Sequence, residues 1–309
     1  MKERILLIRT SALGDVLLAL PAARALKAAR PDAQVALLTD ARFFPLCAGS
    51  VDELISWRAG VLGEVRARRF DVVVDLQRKA KTVALSLASG ARRRLALEKR
   101  TWGGVARAAL GRDAPSTRAH AVALYCEALR PLGVSVPSQR SAAPRSERLV
   151  ALAPGAAHAT KRWPPERFAE VGDALSAAGW AVALVGGPGD AQALEAVASR
   201  LARRPAVDAR GLDLPSLAAL LARCALLVTN DSGPAHLAAE LGTPVVAVFG
   251  PTSPARWTPF STAVRPVSLA LACSPCTNHG GARCPLGHHA CLRELPASRA
   301  LAAARELLP

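Results

Sequence analysis

The sequence contains no uninterrupted apolar run long enough to span a membrane, although 51% of its 309 residues are hydrophobic. Its first residues begin like an export signal, because a basic start precedes an apolar tract at residues 5–8. Arg9 and Asp15 interrupt that tract, which argues against a signal peptide. We therefore expect a cytoplasmic globular protein that is long enough to form two domains.

Three common functional fingerprints are also missing. No predicted strand is followed by G-x-G-x-x-G, and the sequence has no G-x-x-x-x-G-K-[ST]. These absences argue against a nicotinamide dehydrogenase and against a P-loop NTPase. Ser232 does not lie in a G-x-S-x-G elbow, which disfavours a serine hydrolase.

Lysine is scarce, and the basic residues are unevenly distributed. Only six of the 40 basic residues are Lys; residues 1–148 carry 26 basic against 13 acidic residues, whereas residues 149–309 carry 14 against 11. This asymmetry predicts that the first half binds a polyanionic partner. That partner is a nucleic acid, an acidic membrane surface or a phosphorylated substrate. The basic clusters lack interleaved aromatic residues, which argues against nucleic acid. The alternative is a compositional bias toward Arg without any partner.

Strand and helix patterns alternate along the chain in two series. The predicted strands lie at residues 4–9, 35–39, 53–57, 71–76, 149–153, 181–185, 225–228 and 244–249. The main predicted helices lie at residues 16–30, 119–132, 165–178, 191–203, 214–222 and 296–308. Residues 133–148 are rich in Pro, Ser and Arg and predict a linker. The pattern therefore predicts an α/β fold of two doubly wound domains, residues 1–148 and 149–309.

The turns that follow the strands carry the informative polar residues. Ligands bind at the carboxyl ends of parallel strands, so we expect these turns to face one interdomain cleft. In the turn at residues 230–236, Asp231 or Ser232 is expected to cap a helix whose free N–H groups attract an anion. Gly233 lets a phosphate approach the backbone closely. The alternative is an ordinary strand-to-helix turn.

The motifs in these turns resemble those of a known family. In chain order they are T-S-x-x-G-D, A-P-G followed by K-x-W-P, G-G-P-G-D, N-D-S-G-P-x-H and F-G-P-T. This set is similar to glycosyltransferase family nine, the ADP-heptose:lipopolysaccharide heptosyltransferases, with a closer resemblance to the heptosyltransferase II branch. The resemblance implies a GT-B fold, in which an N-terminal acceptor domain and a C-terminal nucleotide-sugar domain face a cleft. It also implies a last helix that crosses back onto the first domain.

The resemblance further implies an activity. This activity is the inverting, metal-independent transfer of L-glycero-D-manno-heptose from ADP-heptose to the Kdo- or heptose-bearing inner core of lipopolysaccharide. It needs no cofactor, and the protein would work in the cytoplasm, peripheral to the inner membrane. Two alternatives stay open. One is a family-nine transferase with another nucleotide sugar or acceptor, and the other is a catalytically silent protein that binds an anion or a glycolipid.

Two residues match catalytic positions of the family. Asp15 matches the aspartate that takes the proton of the acceptor hydroxyl, which is a poor nucleophile without a base. The alternative for Asp15 is a helix N-cap. Lys161 matches the lysine that contacts the donor diphosphate and offsets the charge gained by the leaving ADP. The alternative for Lys161 is a solvated loop lysine.

The turn at residues 230–236 matches the donor-binding turn of the family. The resemblance implies that Ser232 and Gly233 contact phosphate and that Asp231 accepts a hydrogen bond from the heptose. His236 is expected to reach phosphate or sugar, although a lone histidine is more often structural.

Three further positions are assigned to substrate binding. Asp190 is expected to bind the ribose of the donor, since an acidic residue after a βα turn commonly does so. Ser11 is expected to help hold the phosphate or the acceptor. Thr252 is expected to contact the ligand in the tract that lines the cleft.

Four of the seven cysteines are clustered near the C-terminus, and they are Cys273, Cys276, Cys284 and Cys291. Their spacing is typical of a tetrathiolate zinc or iron–sulfur loop. A similar cluster recurs in the family branch that resembles the second heptosyltransferase, without a catalytic metal. Reduced thiols in a packed loop are therefore the alternative.

Overall fold

The computed structural model describes residues 2–98, 119–145 and 147–309. The described residues form two compact units, which are residues 2–98 with 119–138 (unit 1) and residues 139–309 (unit 2). Within these ranges, no helix is both long enough and apolar enough to cross a membrane.

Unit 1 contains a parallel sheet of five strands in the order β3-β2-β1-β4-β5. Its strands are β1 (Arg4–Ile8), β2 (Gln34–Thr39), β3 (Glu53–Ser56), β4 (Val72–Asp75) and β5 (Arg93–Ala96). Its described helices are α1 (Leu13–Ala29), α2 (Phe44–Cys47), α3 (Val61–Ala67), α4 (Ala80–Ala88) and α5 (Ala121–Leu129). Single 3₁₀ turns cover Ala41–Phe43 and Arg130–Leu132.

The centre of this sheet is apolar on both faces, as the aliphatic runs predicted. On one face, Leu6 and Val73 belong to a buried cluster with Val65 of α3 and Leu85 of α4. The helices α1 and α5 pack against each other, and α1 also contacts β2. Strands covered by helices in this way are hydrophobic along their whole length, because neither face meets water.

Unit 2 contains a parallel sheet of six strands in the order β11-β10-β9-β6-β7-β8. Its strands are β6 (Leu149–Ala153), β7 (Ala181–Gly186), β8 (Val207–Arg210), β9 (Leu226–Asn230), β10 (Val245–Val248) and β11 (Val264–Val267). Its helices are α6 (Pro165–Ala177), α7 (Ala191–Ala198), α8 (Leu214–Arg223), α9 (Gly233–Glu240), α10 (Pro254–Trp257), α11 (Ala290–Arg293) and α12 (Ala297–Leu307). Further 3₁₀ turns cover Ala159–Lys161 and Pro188–Asp190.

The last helix is part of the core of unit 2. Helix α12 contacts α6 and the strands β9, β10 and β11. Its alanines Ala300 and Ala304 are fully buried in the same cluster as Trp163 and Phe168, whose rings meet edge to face at 5.2 Å. Small side chains on α12 thus let the helix lie close to the sheet.

The predicted α/β fold with two parallel sheets is confirmed, with differences at the edges. The patterns did not predict β5, β8 or β11, and α7 ends at Ala198 instead of residue 203. Within unit 2, the strands β6, β7, β9 and β10 run in parallel, so the turns that follow them lie at the same edge of the sheet. This edge carries most of the candidate donor-binding residues.

Candidate active site

Asp15 lies in the first turn of α1, directly after the turn that follows β1. Ala12 occupies the N-cap of this helix, and the Asp15 Oδ2 lies 3.4 Å from the Ala12 backbone nitrogen. Asp15 is therefore at the third helical position, and its interpretation as the N-cap is wrong. Ser11 precedes the N-cap and is half-buried in the same turn. Asp15 Oδ2 therefore accepts the hydrogen bond from the N-cap backbone N–H, as the third residue of a capping box does.

The other oxygen of Asp15 is held by a buried arginine. The Arg9 Nη2 lies 2.6 Å from Asp15 Oδ1, and the Arg9 Nη1 donates to the Leu76 carbonyl at 2.9 Å. The Tyr125 hydroxyl also lies 3.4 Å from Asp15 Oδ1. Burial opposes the charge of Arg9, but the proximity of Tyr125 and Asp15 raises the pKa of Arg9 above its ordinary value. Arg9 is thus a permanent cation that fixes one side of the carboxylate.

The turn after β1 is tied to the turn after β4. The Gln77 Oε1 accepts hydrogen bonds from the Thr10 backbone N–H at 2.7 Å and from the Thr10 hydroxyl at 2.8 Å. Asp75 in turn accepts from the backbone N–H groups of Gln77 and Arg78. These bonds give the Asp15 turn a fixed backbone, which a catalytic carboxylate requires.

In unit 2, Lys161 is joined to the turn after β9. The Lys161 Nζ lies 2.8 Å from Asp231 Oδ2, and the Thr252 hydroxyl donates to the same oxygen at 2.6 Å. Asp231 and Thr252 are only 4% and 1% exposed. Lys161 is therefore not a solvated loop lysine, since three residues from three turns meet in one buried polar cluster at the carboxyl edge of the sheet.

The helix α9 begins at Gly233 without a side-chain cap. Ser232 occupies the N-cap position but makes no capping hydrogen bond, because its Oγ lies 3.2 Å from the Thr229 hydroxyl oxygen. Ser232 is thus at the N-cap, as one of the two predicted alternatives, but its side chain does not cap the helix, and Asp231 is paired with Lys161. An uncapped helix start beside an ammonium group is favourable for a phosphate. His236 is buried within the same helix.

Asp190 has a structural role in the turn after β7. Its Oδ2 accepts a hydrogen bond from the Gly187 backbone N–H at 2.9 Å. Its carboxylate also fills the space beside Gly155, where any side chain at position 155 would collide with Asp190. Asp190 therefore packs the turn after β6 against the turn after β7, and the sequence did not reveal this role of Gly155.

Asn230 is a further site residue that sequence reasoning missed. It is fully buried at the end of β9. Its Oδ1 accepts from the Trp163 backbone N–H at 3.0 Å, and its Nδ2 donates to the Pro154 carbonyl at 2.8 Å. Asn230 thereby fixes both ends of the segment that carries Lys161. A buried asparagine at a strand end, within a polar motif, is the signal that predicts such a role.

Replacing Asn230 by Ala is expected to lower the free energy of unfolding of the protein by roughly 2–4 kcal/mol. The change leaves a buried N–H group and a buried carbonyl without their partners. Urea denaturation followed by circular dichroism measures the effect, with Gln139→Ala as a control at an exposed amide side chain. Equal stability of both variants would contradict the role assigned to Asn230.

The cysteine cluster surrounds one cavity of about 150 Å³ in unit 2. The cavity is lined by Cys273, Cys276, Cys284 and Cys291 together with His288 and His289. Burial raises the pKa of Cys291 to about 11. Burial also acts to raise the pKa of Cys284, but hydrogen bonds from the backbone N–H groups of residues 286, 287 and 289 bring it below the usual value.

None of the four thiols forms a disulfide. In the described part of the chain, no three Cys, His, Asp or Glu side chains are grouped so that they could hold a metal ion. A metal at the four cysteines and reduced thiols in a packed loop both stay predictions.

The cysteine loop contacts the segment that carries Lys161. The Thr160 backbone N–H donates to the Gly281 carbonyl at 3.2 Å, and the Gly281 N–H donates to the Thr160 hydroxyl at 2.8 Å. His289 Nε2 lies 2.8 Å from the Thr160 carbonyl oxygen. A Cβ at Gly280 would lie 2.8 Å from the Lys161 side chain. The loop thus packs directly against the lysine stem.

Residues 59–285 match the model of glycosyltransferase family 9 (heptosyltransferase). The chain belongs to this family. The matched residues include Lys161 and the turn at 230–236, whereas Asp15 and Ser11 lie before them. Membership agrees with the resemblance that the turn motifs gave.

Similar proteins come from several bacteria. The lipopolysaccharide heptosyltransferase 3 of Escherichia coli K12 is 25% identical over 285 residues, which are 80% of this chain and 83% of that protein. The lipooligosaccharide heptosyltransferase 2 of Campylobacter jejuni is 33% identical over 169 residues. This second alignment spans about half of each protein, 52% of this chain and 51% of the relative.

The fold is also that of solved family members. The structure of the E. coli ADP-heptose LPS heptosyltransferase II has a TM-score of 0.74 at 26% identity, and the alignment covers 99% of this chain and 98% of that chain. The family 9 glycosyltransferase of Veillonella parvula has a TM-score of 0.78 at 24% identity, with 99% and 98% coverage. The family-nine chain described here therefore has the GT-B fold.

Proposed function

We propose that the protein is an inverting, metal-independent heptosyltransferase that transfers L-glycero-D-manno-heptose from ADP-heptose to the inner core of lipopolysaccharide. The observation that carries the proposal is the buried cluster in which Lys161 meets Asp231 beside the uncapped start of α9. An ammonium group and free helix N–H groups at one place form a site for a diphosphate. Because the chain belongs to a glycosyltransferase family, we assign this diphosphate to a nucleotide sugar.

In this proposal the donor replaces the ion pair of the free enzyme. The diphosphate forms an ion pair with the Lys161 ammonium group. The Ser232 hydroxyl and the Gly233 backbone N–H donate further hydrogen bonds to the phosphates. Asp231 is then released to bind a heptose hydroxyl, while Thr252 keeps its carboxylate in place. Asp190 is assigned to the ribose and His236 to phosphate or sugar.

Asp15 acts as the general base in the acceptor-binding unit. Its Oδ1 is held by Arg9, whereas Oδ2 accepts the longer hydrogen bond from the Ala12 backbone N–H, so Oδ2 is the oxygen assigned to take the proton of the acceptor hydroxyl. The hydroxyl oxygen forms a bond to the anomeric carbon as the bond between that carbon and the phosphate oxygen breaks. ADP leaves with an additional negative charge, which Lys161 stabilises. Ser11, in the same turn as Asp15, is assigned to the phosphate or the acceptor.

The acceptor is an anionic glycolipid, which agrees with the excess of basic over acidic residues in the first half of the chain. Kdo carboxylates and lipid A phosphates supply the negative charges. The protein is accordingly placed in the cytoplasm, peripheral to the inner membrane.

Incubating the purified protein with ADP-heptose and Kdo₂-lipid A is expected to give an acceptor that is heavier by one heptose. The yield is expected to be the same with and without a chelator, because Lys161 replaces a metal at the diphosphate. Mass spectrometry measures the transfer, and NMR of the product measures the anomeric configuration. Transfer from another nucleotide sugar at a higher rate would contradict the assigned donor, and loss of activity on chelation would contradict metal independence.

A further inference from the structure

A buried tyrosine of unit 1 lies beside the Asp15 carboxylate. Tyr125 is on α5, which packs against α1, the helix that carries Asp15. The tyrosine is only 3% exposed. A phenol is buried at low cost when its ring packs against other side chains and its hydroxyl meets a polar partner. The partner of this hydroxyl is the residue assigned as the base, so its role in the site can be tested.

Tyr125, Arg9 and Asp15 contact one another. The Tyr125 hydroxyl donates to Asp15 Oδ1 at 3.4 Å, and the Arg9 Nη2 lies 2.6 Å from the same oxygen. The central carbon of the Arg9 guanidinium group lies 5.7 Å from the centroid of the Tyr125 ring. Asp15 Oδ1 therefore meets two donors, whereas Oδ2 accepts the hydrogen bond from the Ala12 backbone N–H at 3.4 Å.

The two donors reach Oδ1 from different elements of the fold. Arg9 follows β1 and also donates to the Leu76 carbonyl, which ties it to the turn after β4. Tyr125 belongs to α5 and approaches the oxygen from that helix. A carboxylate that is held from two elements has less freedom to rotate than one that is held by a single side chain. The direction of Oδ2 is thereby restricted as well.

We infer that Tyr125 is a positioning residue for Asp15 in heptose transfer. Its hydroxyl keeps Oδ1 beside Arg9, so that Oδ2 is the oxygen presented to the acceptor hydroxyl. Tyr125 does not touch the substrate and acts only through Asp15. Hydrogen bonds at catalytic groups are often long until the substrate is in place, and they shorten in the transition state, so a distance of 3.4 Å agrees with this role.

This inference rests on the proposed function, because a base has to be positioned only if Asp15 is that base. The two can nevertheless fail separately. If the wild-type protein transfers no heptose, or if Asp15→Asn keeps full turnover, the proposed function or the role of Asp15 is wrong, and the inference falls with it. If transfer depends on Asp15 but not on the Tyr125 hydroxyl, the inference alone is wrong.

The experiment compares the steady-state kinetics of heptose transfer by the full-length wild-type protein and by Tyr125→Phe. The phenylalanine keeps the ring beside Arg9 and loses only the hydroxyl. The kcat is expected to fall about tenfold, because the base is less well oriented toward the acceptor hydroxyl. The KM values for ADP-heptose and for Kdo₂-lipid A are expected to change less than about twofold, since Tyr125 binds neither substrate. An unchanged kcat, or a change confined to KM, overturns the inference.

A double variant separates positioning from a purely structural role. In the Asp15→Asn background no base is left to position, so adding Tyr125→Phe is expected to change the residual turnover less than about twofold. A structural effect of the hydroxyl would instead lower turnover by the same factor in both backgrounds. That result would contradict the inference.

Cys126→Ala is the matched control. Cys126 follows Tyr125 on α5 and is similarly buried, at 2% exposure, but its side chain is turned by about 100° around the helix axis. Its substitution is expected to lower the Tm while leaving kcat unchanged, and thermal melts of all variants report whether the fold is intact. If Cys126→Ala lowers kcat as much as Tyr125→Phe does, both effects come from loosened packing of α5, and the inference is wrong.

Discussion

Asp15→Asn is expected to reduce the turnover of heptose transfer by about 10²–10⁴-fold, the range that general base catalysis contributes. The asparagine side chain keeps an oxygen that can accept the Arg9 hydrogen bond, but its amide cannot take a proton from the acceptor hydroxyl. In the proposed function most donor contacts come from unit 2, so the affinity for ADP-heptose is expected to stay unchanged. Steady-state kinetics measures the turnover, and calorimetry measures the donor affinity.

Asp32→Asn is the control for this variant. Asp32 is an exposed aspartate in the turn before β2, so the same chemical change there is expected to leave turnover unaffected. If Asp15→Asn keeps full turnover, Asp15 is not the base. If it loses donor affinity in parallel with turnover, the loss arises from misfolding or from donor binding, and the assigned role is wrong.

Lys161→Met is expected to reduce kcat/KM by about 10²–10³-fold, comparable to the loss of one preorganised group that stabilises the transition state. In the proposed function the ammonium group offsets the charge of the departing ADP, and the methionine retains only the apolar stem. The variant is also expected to lower the free energy of unfolding by roughly 3–5 kcal/mol, because it leaves the buried Asp231 carboxylate without its cation. Kinetics and urea denaturation measure the two effects.

A second variant separates these two effects. In Lys161→Met combined with Asp231→Asn, no uncompensated charge is buried, so most of the lost stability is expected to return. Catalysis is expected to stay low, because neither the cation nor the sugar-binding carboxylate is present. If the double variant recovers turnover together with stability, Lys161 serves only to neutralise Asp231 and has no role in stabilising the leaving group.

The central strands were predictable from the sequence, and the edge strands were not. β1 and β4 are continuous aliphatic runs because helices cover both faces of the sheet. β5 is mostly exposed and begins with two arginines, and β11 contains Pro266, which a strand tolerates only at a sheet edge. Such strands are stabilised by pairing with a neighbour that lies far away in sequence, so their own residues carry little signal.

The turns of the candidate site were predictable, but the pairings within them were not. The motifs indicated Lys161 and Asp231 as separate ligand contacts, whereas the structure joins them across 70 positions of the chain in one ion pair. In the same way, the link between Arg9 and Asp15 and the role of Asn230 depend on how strands align. Parallel register determines these contacts, and a single sequence does not reveal register between distant segments.

The contact between Gly155 and Asp190 couples the side chains that are allowed at two positions 35 residues apart in the chain. Because the carboxylate fills the volume that a methyl group at position 155 would need, a family member with alanine at the first position must carry a smaller residue, or a shifted turn, at the second. We therefore expect family members to substitute the two positions together, which a comparison of their sequences measures. Any redesign of the turn that carries Asp190 has to begin with the turn that carries Gly155.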